Sequence, residues 1–140
     1  EHTAHSPHYY YHKFDPEDKK SHRRSIYRFV VRSQPNPFMT TLDCADSSQS
    51  TPRRNETLTA LQALSLLNNK FTLVMSQHFA DRLAEEGKGS GYQIKAGFEL
   101  VSGRPPNAEE HRLLLEYAEK HGMPNLCRSL FSLSEFSFID

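Results

Sequence analysis

The second half of the chain constrains its fold most, because nearly every helix there carries its own start and stop signals. After Thr59, apolar residues recur at three- and four-residue spacing, and glycine, asparagine or proline interrupts each stripe. Thr59-Ala60-Leu61-Gln62 has the form of a capping box, in which the Thr hydroxyl and the Gln side chain take up free backbone NH groups. Leu61, Leu64 and Leu67 continue that stripe to Asn68. A second helix is predicted over 70–86 with Phe71, Val74, Met75, Phe79 and Leu83 inward, ending in the loop of Gly87, Gly89 and Gly91. A third carries Ile94, Phe98 and Val101 and stops at Gly103, ahead of Pro105 and Pro106. Asn107 then opens a fourth, with Glu110 at the capping-box position and Leu114, Tyr117 and Ala118 as its face, closed by Gly122. The last starts near Pro124 and turns Leu126, Leu130 and Leu133 inward.

The first half reads differently. Residues 1–20 hold His2, His5, His8 and His12 with Tyr9, Tyr10 and Tyr11, few aliphatics, and breaks at Pro7 and Pro16, which describes an extended arm. In 21–33, Arg24, Arg28 and Arg32 recur every four residues, so a helix there would gather them on one face opposite Ile26, Phe29 and Val30. The alternation of Tyr27, Phe29 and Val31 also suits a strand; helix is the expectation, stopped before Pro35 and Pro37. Residues 34–58 read as irregular, and a connection of that length usually carries function or docks against something. The expected architecture is all-α: five or six short antiparallel helices with a long irregular N-terminal arm and loop. The arm is 1–20 and a single helical domain is 21–140.

Composition narrows the function. Apolar residues make up 36% and mean hydropathy is −0.69, so part of the chain belongs in water or against a partner rather than in a core. Lys plus Arg and Asp plus Glu both number 17, and this zero balance speaks against a general nucleic-acid binder. No apolar run reaches the roughly 18 residues of a membrane helix. There is no signal peptide and no initial Met, so Glu1 reads as a processed end or a fragment start. Cys44 and Cys127 form no CxxC or CxxCH, and lone thiols are the plainer reading than a disulfide.

Candidate sites are few. Asp43, Asp46, Arg53, Arg54, Asn55, Glu56 and Thr57 place carboxylates beside guanidinium groups in one loop. Such a loop either binds a polar ligand, coordinates calcium or does acid–base work, or is held on the helices by ion pairs and backbone capping; the second reading is favoured. The spacing is not that of an EF-hand. His5, His8 and His12 offer imidazoles for a metal only if the arm were helical, against which Pro7 argues. His78 is expected as a satisfied core histidine, and His111 and His121 as surface residues. The arginine stripe suits an anionic glycan, a phosphate backbone or an acidic neighbouring domain, with nucleic acid the poorest fit. No phosphate loop, GxSxG elbow or HExxH helix occurs.

The runs HRRSIYRFVVRSQPNPF, LDCADSSQSTPRRNETLTALQALSLLNN, VSGRPPNAEE and LCRSLFSLSEFSFID together, across residues 18–140, resemble a C-terminal domain of unknown function. That domain is carried by large secreted proteins of planctomycetes and related bacteria, often with cytochrome c-like modules further upstream. Two departures stand out: Ala60 where the family often has proline, and Ala45 in an acidic loop where a proline is common. The resemblance implies an extracytoplasmic setting and upstream domains as partners. It places haem c in associated domains, no cofactor being expected of this chain, and it supplies no activity. Two roles are therefore expected: a structural or interaction module docking on upstream domains, or a contributor of charged residues (43–57) to a shared site. That shared site would act on an extracellular polysaccharide or in a cytochrome-linked redox reaction.

Overall fold

The computed structural model describes residues 10–28, 31, 34–46, 49–50, 52–53, 57, 59–87 and 89–137. Seven α-helices occur among them: α1 (Pro37–Thr41), α2 (Ala60–Asn68), α3 (Lys70–Glu85), α4 (Ser90–Ser102), α5 (Ala108–His121), α6 (Met123–Leu130) and α7 (Ser134–Ser137). No strand is present among the described residues beyond one isolated bridge between Val31 and Gln34. The fold class is all-α, as the periodicity implies. The chain divides into two compact units, residues 1–65 and 66–140, with the division falling inside α2.

The second unit holds the apolar core. Ile94, Phe98 and Val101 of α4 meet Leu126 and Leu130 of α6, with Leu114, Leu115 and Ala118 of α5 packed around them. A second cluster joins Ala80 and Leu83 of α3 to Cys127 of α6. The stops work as their chemistry requires. Asn107 accepts from the Glu110 NH at 2.8 Å while the Glu110 carboxylate takes the Asn107 NH at 2.7 Å, completing the expected capping box. Gly103 closes α4 in the left-handed region at φ 73°, where a side chain is disfavoured. Gly97 serves a different need. A methyl group there would lie 2.9 Å from Leu83 Cδ1, so the missing side chain is what lets α4 pack against Leu83.

Two helical faces differ from the sequence expectation. In α3 the fully buried line is Thr72, Ser76, Ala80 and Leu83, while Phe79, expected inward, is half-buried. Small side chains allow close approach, and Ser76 satisfies its hydroxyl on the Leu73 carbonyl at 2.7 Å. His78 is therefore exposed rather than set in the core. In α2 the residue buried is Gln62, while Leu61 and Leu64 are 62% and 55% exposed.

In the first unit the expected helix over 21–33 does not form among the described residues. The chain makes two single 3₁₀ turns, Lys19–Ser21 and Ser25–Tyr27, and Arg28 is already extended. β-branched Ile26, Val30 and Val31 lower helix propensity, and neither turn has the span to repay helix nucleation. In compensation, α1 appears where no helix was expected. Its signal is local: the Asn36 carbonyl side chain accepts from Phe38 and Met39, and Pro37 occupies the first helical position.

Candidate functional site

The loop that drew attention in the sequence is organised around one carboxylate. Helix α1 ends in a Schellman turn: the Cys44 NH bonds the Met39 carbonyl at 3.0 Å and the Asp43 NH bonds the Thr40 carbonyl at 3.2 Å. Asp43 occupies the left-handed position at φ 56°, a place usually given to glycine. Among described residues it is the one non-glycine there. The turn carries its carboxylate to the start of α2, where Oδ2 accepts from the Thr57 NH at 2.7 Å, the Thr57 hydroxyl at 2.7 Å and Gln62 Nε2 at 2.9 Å.

Gln62 completes the arrangement. Its Oε1 accepts from the Thr59 NH at 2.9 Å, and its own NH donates to the Thr59 hydroxyl at 3.2 Å, as the capping box required. Gln62 Nε2 also donates to Thr57 Oγ1 at 2.9 Å. One buried glutamine thus caps α2 and ties the loop to Asp43. These bonds are those of a loop fastening.

The other predicted residues that the structure describes take separate places. Asp46 is exposed and takes a local bond from Gln49 Nε2 at 3.1 Å. Arg53 is exposed. Arg54, Asn55 and Glu56 lie outside the described residues, as do Arg32, His5 and His8, and the side chain of His12 is likewise not described. Arg24 precedes the turn Ser25–Tyr27 and is exposed, whereas Arg28 is half-buried with its guanidinium 4.9 Å from the centre of the Phe14 ring. Without a helix they share no stripe. Around them the arm is stapled: the Tyr11 hydroxyl donates to the Gln34 carbonyl at 2.8 Å and accepts from the Val31 NH at 3.3 Å. His22 Nε2 donates to the Pro16 carbonyl at 2.7 Å. Among the described residues no group of three or more His, Cys, Asp or Glu is placed to hold a metal.

One charged cluster escaped the sequence reading. Arg104 forms a two-pronged bond to Glu110 at 2.8 and 2.9 Å and a further bond to Glu135 at 3.0 Å, with its guanidinium 5.0 Å from the Phe98 ring centre. The Arg104 hydrogen bonds, helped by the Asn107 NH, hold the Glu110 carboxyl down at about 2. Its signal was present in Gly103-Arg104-Pro105-Pro106-Asn107, but nothing local announced Glu135 as a partner. Elsewhere, Arg128 donates to the Leu67 carbonyl at 2.7 Å and to Asn68 at 2.8 Å, satisfying the end of α2. His111 is half-buried, with Nε2 3.0 Å from the Gly91 carbonyl.

The class these features define is an all-α module in which Asp43, Arg104 and Arg128 fasten loops and helix ends. The family model for PSD1, a protein of unknown function (DUF1553), matches residues 2–118, and the chain belongs to that family. The matched span takes in the His- and Tyr-rich arm and ends within α5. No curated protein and no solved structure matches the chain.

Proposed function

We propose that this chain is a helical structural and interaction module that docks through residues 1–65 on upstream domains of the same polypeptide or on associated chains. The observation that carries the reading is an imbalance in the first unit. Among its described residues only Pro16 and Gln62 are buried, while Ile26, Tyr27, Leu61 and Leu64 are 79%, 72%, 62% and 55% exposed. Covering a side chain of that size fully is worth about 1.5 to 3 kcal/mol, so a partner surface has much to gain there. The extracytoplasmic setting and the neighbouring cytochrome c-like modules rest on the sequence resemblance alone.

The test compares the 140-residue chain with a longer polypeptide that includes the upstream domains. Dye binding to exposed apolar surface should be strong for the short chain and fall in the longer one, with amide protection gained over 60–65. A short chain that binds no dye and melts as one cooperative monomer would refute docking. Under this reading the 43–57 loop is a fastening, and replacing Asp46 and Arg53 by Ala should leave any turnover of the longer polypeptide unchanged. Loss of turnover with the fold intact would instead move the loop into a shared ligand or active site.

A further inference from the structure

We infer that residues 19–28 form a recognition site for an acidic protein surface with apolar side chains at its centre. The inference rests on the docking reading above and specifies the partner's chemistry. Charge is sharply segregated in this neutral chain. Lys19, Lys20, Arg23, Arg24, Arg28 and Arg32 fall in the run 19–42, which contains no Asp or Glu. Lys19, Lys20, Arg23 and Arg24 are exposed, and beside them stand Ile26 and Tyr27, at 79% and 72% the most exposed large apolar residues described. An exposed apolar pair next to exposed cations along the chain matches the make-up of a protein–protein interface rather than of a solvated face.

The segment is held in place before any partner arrives. Tyr11 bonds Val31 and Gln34 beyond one end, His22 bonds the carbonyl of buried Pro16, and Arg28 covers Phe14. Of the three preceding acids, Asp15 and Asp18 accept from the NH groups of Glu17 and Lys20 in local turns, and Glu17 is exposed. Ordering cost on binding is correspondingly small.

The partner's class follows from what each alternative would leave uncovered. A polyanionic glycan or phosphate chain would pair the cations and leave the aliphatic Ile26 uncovered. A membrane surface favours a continuous amphipathic helix, and here two short 3₁₀ turns are separated by non-helical backbone. An acidic protein surface meets both needs, and the guanidinium groups of Arg23 and Arg24 suit two-pronged bonds to carboxylates.

The experiment titrates the 140-residue chain against three probes: a fluorescent peptide of alternating Glu and Asp with a central Leu-Phe pair, phosphatidylglycerol vesicles, and dextran sulfate. Peptide binding should fall severalfold between about 50 and about 200 mM salt. Arg23→Glu with Arg24→Glu should abolish it. Ile26→Ser with Tyr27→Ser should weaken it about tenfold without changing the salt dependence. Because these side chains are exposed, circular dichroism of each variant should match the parent; Lys19→Gln with Lys20→Gln is a milder second pair. Binding to vesicles or dextran sulfate without peptide binding overturns the inference, as does a serine pair that binds the peptide like the parent. In the longer polypeptide, Leu61→Ser with Leu64→Ser probes docking itself. If that pair releases the upstream domains and the Arg reversal does not, docking stands and the acidic partner falls. If neither releases them, the docking reading falls.

Discussion

Asp43 shows how one residue can hold two contradictory positions. Its backbone pays left-handed strain, of order 1 to 2 kcal/mol for an ordinary side chain, so that its carboxylate can reach Thr57 and Gln62. Substitutions separate the two effects. Asp43→Gly relieves the backbone and removes three accepted bonds, Asp43→Asn keeps an acceptor, and Asp43→Ala loses on both counts. The expected order of destabilisation is Ala, then Gly, then Asn, with about 1 to 3 kcal/mol for Ala, read as loss of amide protection at the start of α2. Equal effects for all three would mean that the carboxylate bonds contribute nothing. Cysteine reactivity belongs to the same scale. Burial at 0% exposure pushes the Cys127 thiol up to about 12, whereas Cys44 is exposed. A thiol reagent at pH 8 should label one cysteine per native chain and both after denaturation; two rapid labels in the native state would contradict the packing around Cys127.

At the scale of elements, the turn between α4 and α5 couples a cap to an ion pair. The Glu110 carboxyl is lowered from 4.5 to about 2, so its charged form is favoured by folding. That contribution is fully present above the unfolded value near 4.5 and is lost as pH falls toward about 2. Melting temperature should therefore decline through this window, and Glu110→Gln should flatten that part of the decline while lowering stability at neutral pH. A Gln variant with the parent's acid profile would show that other carboxylates control it. The contact of α4 with Leu83 gives a complementary expectation. In Gly97→Ala the new methyl meets Leu83 Cδ1 at 2.9 Å, and Leu83 is 1% exposed with little room to move. Overpacking of this kind costs about 1 to 3 kcal/mol, despite alanine's better helix propensity. A denaturation midpoint that rises instead would mean that the helices separate freely.

Across the whole molecule, burial is unequal. Apart from Pro16, every fully buried aliphatic or aromatic side chain among the described residues lies in 66–140, and so does Cys127. Native-state hydrogen exchange of the isolated chain should therefore find its slowest amides in α3, α4 and α6, and faster exchange over the described residues of the first unit. Equally slow exchange in both units would refute the division of labour proposed above.

How much of this was legible follows from the range of each interaction. The caps at Thr59–Gln62 and Asn107–Glu110, the stop at Gly103, and the core positions Ile94, Phe98, Leu126 and Leu130 were readable because each depends on residues within a few places along the chain. The Asn36-Pro37 start of α1 obeyed the same local rules and was missed inside a stretch that looked irregular. What remained hidden depended on distant neighbours. Nothing within α2 shows that Gln62 turns inward and Leu61 outward, because Asp43, 19 residues away, supplies the partner that makes burying the amide favourable. Glu135 reaches Arg104 across 31 residues, and the Arg24, Arg28, Arg32 spacing meant a stripe only if a helix formed, which the described backbone of 24–28 does not do. The sequence by itself thus determined an all-α chain, its helix boundaries between Thr59 and Gly122 and the segregation of its charge, since propensity, capping and composition are local. The break after Leu130 that separates α6 from α7, by contrast, was read as one continuous helix. Only the tertiary structure decided which faces are buried and which charges meet, because burial and ion pairing are properties of the neighbours that folding brings together.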